Sequence, residues 1–301
     1  MSPGTSTLHF YEELLGCPIA ELTAVHGGDM GTSFCIRQRD GTRRFAKHYA
    51  GGAPEMAAAE AFGLEWLRAA NGGDQNSETA TGDAPLRIPG LVAATSHGPP
   101  HVVLEWIDEG QRTHDFDERL GRGLAALHDA GADAFGLSQD NFIGSLAQSN
   151  ACGASWPAFY ASQRLRPLAE RAAKSGRLPR NTARRVEQLS ENLTQFCGPE
   201  EAPSRLHGDL WSGNLIADER GLPCLIDPAV YGGHREMDLA MMKLFGGFSA
   251  QVFDAYRESH PLEAGFEERV PLWQLYPLLV HVNLFGGGYA QAVDDAVARY
   301  L

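Results

Sequence analysis

The sequence lacks a long apolar run, a signal-like N-terminus and any paired cysteine motif. No apolar stretch approaches the roughly 20 residues that a membrane-spanning helix needs, and residues 1–14 show neither a basic segment nor an apolar core. The five cysteines, an odd set without CxxC spacing, are scattered at positions 17, 35, 152, 197 and 224. This usage is typical of reduced thiols rather than of a disulfide framework or a zinc site. We therefore predict a cytoplasmic protein that does not contact a membrane.

Basic residues are scarce relative to acidic ones. The chain has 25 Lys and Arg against 38 Asp and Glu, which gives a formal net charge of −13. Because nucleic-acid phosphates are bound by basic surfaces, this balance excludes nucleic acid as the expected partner. A chain of 301 residues, 43% of them hydrophobic, can bury one large core or the cores of two lobes. We predict a monomer.

The first hundred residues alternate short strand-like runs with turn signals such as Asp40-Gly41. A helix-rich stretch with Pro54 near its start follows the third run. Residues 71–85, NGGDQNSETATGDAP, are polar and poor in aliphatic side chains, which is typical of a flexible surface insertion. The predicted elements are strands at 21–26, 32–38, 43–48, 91–96 and 101–107, and a helix at 55–70.

From residue 108 onward the pattern is helical. Leu120, Leu124 and Leu127 recur on one helix face and predict a buried amphipathic helix at 116–129. Further helices are predicted at 156–174, 181–196, 238–245, 250–258, 272–284 and 289–301. We therefore predict an α+β, two-lobed protein-kinase-like fold. A small N-terminal lobe (1–107) holds a five-stranded antiparallel sheet plus a helix, and a larger, mainly helical C-terminal lobe spans 108–301.

The most informative motif is LHGDLWSGN at residues 206–214, which is followed by Asp227 in the run CLIDP. Asp209, Asn214 and Asp227 have the spacing of a phosphotransferase catalytic loop and its metal-binding hairpin. In that chemistry the carboxylate of Asp209 accepts the proton of an attacking hydroxyl, while oxygens of Asn214 and Asp227 hold Mg²⁺. A lone HGD also occurs in ordinary turns, but the full set with its apolar flanks favours a kinase.

A phosphoryl-transfer site also needs a cover for the phosphates and a cation beside them. Gly27, Gly28 and Gly31, between two predicted strands, would let backbone N–H groups approach phosphate oxygens. A Gly-rich hairpin is also an ordinary β-turn, so both readings stay open.

Lys47, on the third predicted strand, is expected to bind phosphates and to be oriented by a glutamate of the following helix. Glu55, Glu60 and Glu65 all qualify by position, and Glu60 is chosen because it lies in the middle of the helix. The alternative for Lys47 is a solvent-facing position on an edge strand.

The fifth predicted strand ends in the run VLEWI at 103–107, which we expect to form the hinge between the lobes. Backbone groups at Glu105 and Ile107 are predicted to bind adenine, while Val103 and Leu104 line its pocket. A buried strand is the plainer interpretation of the same run, and the two interpretations are compatible.

Over nearly its whole length the chain resembles the fructosamine kinase (ketosamine-3-kinase) family, a branch of the aminoglycoside-phosphotransferase-like kinases. HGDLWSGN combined with YGGHRE is far more specific than HGD alone, which other branches share. The motifs that carry the resemblance include AEAFGL (59–64), VLEW (103–106), DNFIG (140–144), LHGDLWSGN (206–214), IDPA (226–229), YGGHRE (231–236) and NLFGG (283–287).

The resemblance implies an ATP- and Mg²⁺-dependent kinase that phosphorylates the sugar 3-hydroxyl of small or protein-bound ketosamines. The product is unstable and releases the amine, so the reaction is a deglycation. The resemblance also suggests that Trp211 contacts the sugar or its ammonium group, with a packing role as the open alternative. His234 and Arg235 are expected either to help bind substrate or to brace the loop, and Asp238 is expected to brace the catalytic loop rather than to contact substrate. The alternatives are an aminoglycoside- or choline-type kinase and a catalytically silent nucleotide-binding scaffold.

Overall fold

The computed structural model describes residues 5–25, 31–70, 86–95 and 99–301. Its internal contacts divide the chain into two compact units. The first unit comprises Met1–Phe116 together with Ile216–Asp227, and the second unit comprises Asp117–Leu215 and Pro228–Leu301. The predicted insertion at 71–85 lies outside the described residues.

The first unit contains a five-stranded antiparallel sheet with the strand order β1-β2-β3-β5-β4. The predicted strands at 32–38 and 43–48 coincide with β2 and β3, and the predicted helix after them is present. The antiparallel sheet and its helix are therefore confirmed. The elements are α1 (Thr5–Leu15), β1 (Ile19–Val25), β2 (Thr32–Gln38), β3 (Arg43–His48), α2 (Met56–Ala70), β4 (Leu91–Ala94) and β5 (His101–Glu105).

Helix α1 completes the hydrophobic core on the β1-β2-β3 part of the sheet, although the sequence pattern does not indicate this helix. Its Tyr11 is fully buried in a cluster with Phe34 and Ile36. A buried hydroxyl needs a partner, and that of Tyr11 forms a 2.8 Å hydrogen bond with Nδ1 of His101 on β5. This bond ties the helix to β5, an interior strand of the sheet.

The rest of the chain is mainly helical, as predicted, with short two-stranded pairs between the helices. A π-helical turn, Tyr160–Leu165, interrupts the predicted helix at 156–174. No helix of the described ranges is long and apolar enough to cross a membrane. The elements are α3 (Phe116–Asp129), β6 (Asn141–Ile143), β7 (Leu146–Gln148), α4 (Trp156–Phe159), α5 (Arg166–Lys174), α6 (Arg180–Glu191), β8 (Ser204–Leu206), β9 (Leu215–Ala217), β10 (Pro223–Leu225), β11 (Tyr231–Gly233), α7 (Glu236–Phe245), α8 (Ala250–Ser259), α9 (Phe266–Phe285) and α10 (Tyr289–Val297).

The segment Ile216–Asp227 belongs to the first unit because Arg87 binds it at several points. The backbone N–H of Arg87 donates to the carbonyl of Pro223 at 2.8 Å, and the N–H of Leu225 donates to the carbonyl of Arg87 at 2.9 Å. The Arg87 guanidinium also lies 3.2 Å from the buried Asp218 carboxylate and 2.8 Å from Glu219. These contacts place Asp227, the last residue of the segment, among the residues of the first unit.

Candidate active site

In the first unit, one lysine bridges two carboxylates. Lys47 lies on β3 and is only 6% exposed, which rules out the solvent-facing alternative. Its Nζ lies 3.0 Å from Oε2 of Glu60 on α2 and 2.9 Å from Oδ1 of Asp227. The sequence-predicted Lys47, Glu60 and Asp227 therefore form one cluster.

Burial and charge act against each other in this cluster. Burial alone would lower the pKa of Lys47, but the carboxylates of Glu60 and Asp227 outweigh burial and hold that pKa above its ordinary value. Burial raises the pKa of Glu60 to about 7; Lys47 counteracts this effect and Asp227 adds to it. The lysine thus stays a cation at neutral pH, held between two carboxyl groups.

The backbone at Asp227 is strained. Asp227 has φ of 51°, and no other non-glycine residue of the described part of the chain has a positive φ. A side chain in this left-handed region costs on the order of 1–2 kcal/mol. Such strain persists where the surroundings impose it, and it is concentrated at functional sites. Here it directs the carboxylate towards Lys47, with the side chain 31% exposed.

In the second unit, a buried carboxylate holds the start of the catalytic loop. Asp238, on α7, is 1% exposed and accepts hydrogen bonds from the backbone N–H groups of His207 (2.8 Å) and Gly208 (2.9 Å). His128 Nε2 lies 3.2 Å from the same carboxylate, and His128 Nδ1 lies 2.8 Å from the Tyr256 hydroxyl. Burial would raise the pKa of Asp238, but His128 and the loop groups lower it further than burial raises it. The prediction that Asp238 braces the loop backbone is confirmed.

Gly208 is required by the close approach of two backbone segments. Its φ is +82°, and a Cβ at this position would lie 2.0 Å from the carbonyl oxygen of Ala229. The N–H of Ala229 in turn donates to the carbonyl of His207 at 2.9 Å. The loop that leads to Asp209 is therefore packed directly on the chain that follows Asp227.

Asn214 orders the catalytic loop around Asp209. The side-chain Nδ2 of Asn214 donates to the backbone carbonyl of Asp209 at 2.8 Å and to its Oδ2 at 3.2 Å. A short 3₁₀ turn, Ser212–Asn214, returns the chain so that this contact can form. Asn214 is 5% exposed, so the hydrogen bonds are shielded from water. The structure brings these two predicted residues together.

The Trp211 side chain projects from the same loop. It is 39% exposed, and its ring covers Gly213: a Cβ at 213 would lie 2.2–2.6 Å from ring atoms. A tryptophan that served only for packing would be expected to be buried. The ring, two residues after Asp209 in the chain, is therefore partly exposed, and its predicted contact with substrate stays a prediction.

A network of buried side-chain amides holds the backbone on which the catalytic loop packs, and the sequence patterns did not predict this network. Asn141 Nδ2 donates to the carbonyl of Val230 at 2.7 Å, and Gln148 Nε2 donates to the carbonyl of Ala229 at 3.2 Å. Gln148 and Asn150 both donate to Oδ1 of Asn141, at 2.7 and 2.9 Å. The network fixes the backbone on which Gly208 packs. The DNFIG motif was its only sequence signal.

Arg164, in the π-helical turn, ends this network. Its guanidinium donates to Oδ1 of Asn150 at 2.7 Å and lies 4.0 Å from the ring centroid of Tyr231 and 5.4 Å from that of Tyr276. The side chain is fully buried, and no carboxylate of the described residues forms an ion pair with it. Aromatic rings and neutral amides thus solvate a buried cation. Tyr276 continues the chain by donating to Gln148.

His234 and Arg235 are buried and engaged within the second unit. Arg235 donates to both oxygens of Glu201 at 2.8 Å and to the carbonyls of His260 and Pro261 at 3.0 and 2.8 Å. The ring of His234 stacks on Trp273 with a centroid separation of 5.2 Å. These contacts favour a bracing function, and the predicted substrate contacts of both residues stay predictions.

The nucleotide-side residues are only partly described. Gly27 and Gly28 lie outside the described residues. Gly31 lies against β3, since a Cβ at 31 would be 2.2 Å from the carbonyl oxygen of His48. At the end of β5 the N–H of Glu105 donates to the carbonyl of Gly90 at 2.9 Å, and Ile107 follows outside regular secondary structure.

The donor set fits the predicted magnesium ion. Asn214 and Asp227 offer an amide oxygen and a carboxylate, which are hard ligands of the kind that Mg²⁺ prefers. Because Nδ2 of Asn214 is directed to Asp209, the amide oxygen is oriented away from that carboxylate. Among the described residues, no three His, Cys, Asp or Glu side chains form a cluster able to hold a metal, and the two magnesium ligands stay a prediction.

Comparison with known proteins agrees with this geometry. A sequence model described as fructosamine kinase matches residues 5–301. The chain belongs to the fructosamine kinase family. It is 38% identical over 289 residues to a Synechocystis protein named probable ketoamine kinase, with 94% of this chain and 91% of the relative covered. It is 32% identical to a rice chloroplastic protein-ribulosamine 3-kinase, with 94% of this chain and 79% of the relative covered.

Solved structures give the same assignment. A Thermobifida fusca structure described as a candidate fructosamine-3-kinase superimposes with a TM-score of 0.86 at 36% identity, covering 99% of both chains. A macrolide 2′-phosphotransferase superimposes with a TM-score of 0.61 at 15% identity, covering 99% of this chain and 98% of the other, which shows the shared fold alone. The predicted family and the protein-kinase-like fold are both confirmed.

Proposed function

We propose that this member of the fructosamine kinase family is an ATP-dependent kinase that phosphorylates the sugar 3-hydroxyl of ketosamines, a deglycation activity. The observation that carries the proposal is the ordered Asp209–Asn214 loop in a chain that matches the family over residues 5–301. The names of the relatives, ketoamine kinase and protein-ribulosamine 3-kinase, support the same substrate class.

Asp209 is the proposed catalytic residue. Its carboxylate would accept the proton of the sugar hydroxyl as the hydroxyl oxygen forms a bond to the terminal phosphorus of ATP, while the bond from that phosphorus to the oxygen of the leaving ADP breaks. The hydrogen bond from Asn214 to Oδ2 fixes the orientation of this carboxylate. The exposed ring of Trp211 would stack on the sugar or face the secondary ammonium of the ketosamine.

The first unit supplies the nucleotide-binding groups. Lys47 would bind phosphate oxygens, with Glu60 holding its ammonium in place. Gly27, Gly28 and Gly31 would cover the phosphates with backbone N–H groups. Adenine would be bound by the backbone after β5, through the carbonyl of Glu105 and the N–H of Ile107.

Asn214 and Asp227 would hold Mg²⁺, which when bound offsets the negative charge of the phosphates. What the protein itself contributes is the fixed orientation of these two ligands. Asn214 is oriented by Asp209, and Asp227 by its left-handed backbone and by Lys47. The predictions of a monomer and of a cytoplasmic location accompany this proposal.

The test is phosphorylation of ribulosyl- and fructosyl-lysine, with the phosphate position determined by NMR, beside a panel of aminoglycosides and choline. We expect turnover of a ketosamine and a 3-phosphate product, and we expect Asp209→Asn to lower kcat by about 10²–10⁴ with ATP binding retained. Phosphorylation of an antibiotic or choline alone would favour the alternative kinases. No ATP turnover with any acceptor would favour a silent nucleotide-binding protein.

A further inference from the structure

Three exposed aromatic side chains lie at the ends of elements in the second unit. Trp211 (39% exposed) is in the catalytic loop, Phe245 (38%) is the last residue of α7, and Phe285 (60%) is the last residue of α9. Only two other large hydrophobic residues of the described ranges, Val92 and Leu301, are comparably exposed. Contiguous exposed apolar surface is uncommon on a protein unless it binds something.

Phe245 and Phe285 belong to one cluster around His281. The His281 ring centroid lies 4.8 Å from that of Phe245, 5.4 Å from that of Phe285 and 4.9 Å from that of Tyr289. We call these four residues the aromatic platform. Burial lowers the pKa of His281, and its Nδ1 lies 2.8 Å from the carbonyl oxygen of Pro277. The imidazole is therefore neutral at neutral pH, and the platform carries no positive charge of its own.

The platform is continuous with the catalytic loop. The turn after Phe245 packs on the loop, since a Cβ at Gly247 would lie 2.6 Å from Cβ of Ser212, the residue after Trp211. Phe285 joins Phe245 through the ring of His281, whose centroid lies 4.8 Å from that of Phe245 and 5.4 Å from that of Phe285.

A ketosamine has two parts, a sugar and the group that carries its nitrogen. With the sugar hydroxyl at Asp209 and the ammonium near Trp211, the group on nitrogen extends away from the loop. An apolar, uncharged aromatic surface there fits an alkyl chain through apolar contact and tolerates the adjacent cation through cation–π attraction. The flexible four-carbon stem of a lysine side chain is a chain of this kind.

We propose, resting on the proposed function, that the aromatic platform binds the alkyl chain on the ketosamine nitrogen and selects ketosamines of long-chain amines over those of short amines. Phe285 and Phe245 make the contact, and His281 and Tyr289 hold the two rings in place.

The experiment compares kcat/KM for three adducts of one sugar, formed with methylamine, butylamine and Nα-acetyl-lysine. Butylamine supplies the lysine stem without the amino-acid part. We expect the butyl and lysyl adducts to exceed the methyl adduct by about tenfold or more. Phe285→Ala and Phe245→Ala should remove most of that preference by lowering kcat/KM for the butyl and lysyl adducts. Phe285→Tyr, which keeps the ring, should retain it. Leu301→Ala, an exposed apolar residue at the far end of the chain, is the matched control.

Each outcome bears on one proposal. Equal turnover of the three adducts by the wild-type protein overturns the platform but leaves the ketosamine kinase activity in place. A preference that survives both alanine variants also overturns the platform. A change of oligomeric state in Phe285→Ala on size-exclusion chromatography, without a change of preference, identifies a contact with a second copy of the chain instead. If no adduct is phosphorylated, the proposed function fails and the platform proposal fails with it. Thermal unfolding of each variant confirms that it is folded.

Discussion

Replacing Asp238 by Asn tests whether the catalytic loop is positioned by a buried charge. The two side chains are nearly the same size, so the change removes charge and one acceptor without creating a cavity. The carboxylate accepts two backbone N–H groups and a contact from His128, and it is 1% exposed. An asparagine amide can accept hydrogen bonds only through its oxygen. Its NH₂ group would therefore face a donor of the loop or of His128, and that donor would lose its acceptor.

The expected magnitude follows from these contacts. A hydrogen bond to a charged group contributes about 1.5–3 kcal/mol, and a buried donor left without an acceptor costs about 1–3 kcal/mol. The free energy of unfolding should therefore fall by about 3 kcal/mol, which is a large share of the 5–15 kcal/mol typical of native proteins. The variant should remain folded at 25 °C, and kcat should fall at least tenfold because Asp209 follows the two loosened N–H groups in the chain. The KM for ATP should change little, since Lys47 and Glu60 belong to the first unit.

The assay combines urea denaturation with steady-state kinetics at a temperature well below the melting transition. Asp294→Asn is the matched control, because Asp294 is a partly buried carboxylate on α10 that accepts hydrogen bonds from Thr182 and Arg185 away from the loop. It should lower stability while kcat stays unchanged. A folded Asp238→Asn protein with wild-type kcat would refute the reasoning, as would equal losses of kcat in the two variants.

Three further predictions follow from the same contacts. Gly208→Ala should lower stability by about 3 kcal/mol and abolish turnover, because the new Cβ meets a carbonyl oxygen; Gly176→Ala, also at positive φ but with nothing within 4 Å, should cost only about 1 kcal/mol by urea denaturation. Glu60→Gln should raise the KM for ATP several-fold and leave the KM for the ketosamine unchanged, and an unaltered KM for ATP would contradict the role given to the Lys47 pair. Because the folded pKa of Asp238 is lowered, its stabilising contribution is complete above about pH 4 and is lost as the pH falls through the folded value; the stability difference between wild type and Asp238→Asn should therefore shrink from pH 7 to pH 3, and a constant difference would disprove it.

Local sequence patterns predicted those strands and helices whose own residues, or the turns beside them, carry the pattern. The strands at 32–38 and 43–48 are bounded by turn residues, and the helix at 116–129 repeats leucine on one face, so their ends match β2, β3 and α3. Helix α1 has no comparable stripe: Tyr11 is buried only because the sheet folds under it. The π-helical turn at 160–165 was likewise not predicted, and its Arg164 packs on a ring from a distant segment, a contact that has no local sequence pattern.

The candidate site divides in the same way. Lys47, Glu60 and Asp227 were predicted because phosphate chemistry demands those groups at those spacings, and the structure joins them. Asn141 and Gln148 were not predicted as supports of the loop, since an amide that binds a distant backbone carbonyl has no local sequence pattern. Arg235 differs from these amides because its motif did single it out in the sequence. In the structure its guanidinium is bound by Glu201 and two carbonyls within its own unit.

The division of the chain into two units determines when the first unit can be completed during translation. The first unit includes Ile216–Asp227, so a ribosome must translate 227 of the 301 residues before that unit has all its parts. Until then Arg87 lacks its partners on Asp218 and Glu219, and Lys47 lacks Asp227. Although domains generally fold as units from the N-terminus during translation, the N-terminal unit of this protein can be completed only after most of the second unit has left the ribosome. A nascent chain stalled at residue 116 should therefore be more sensitive to protease than one stalled beyond residue 260.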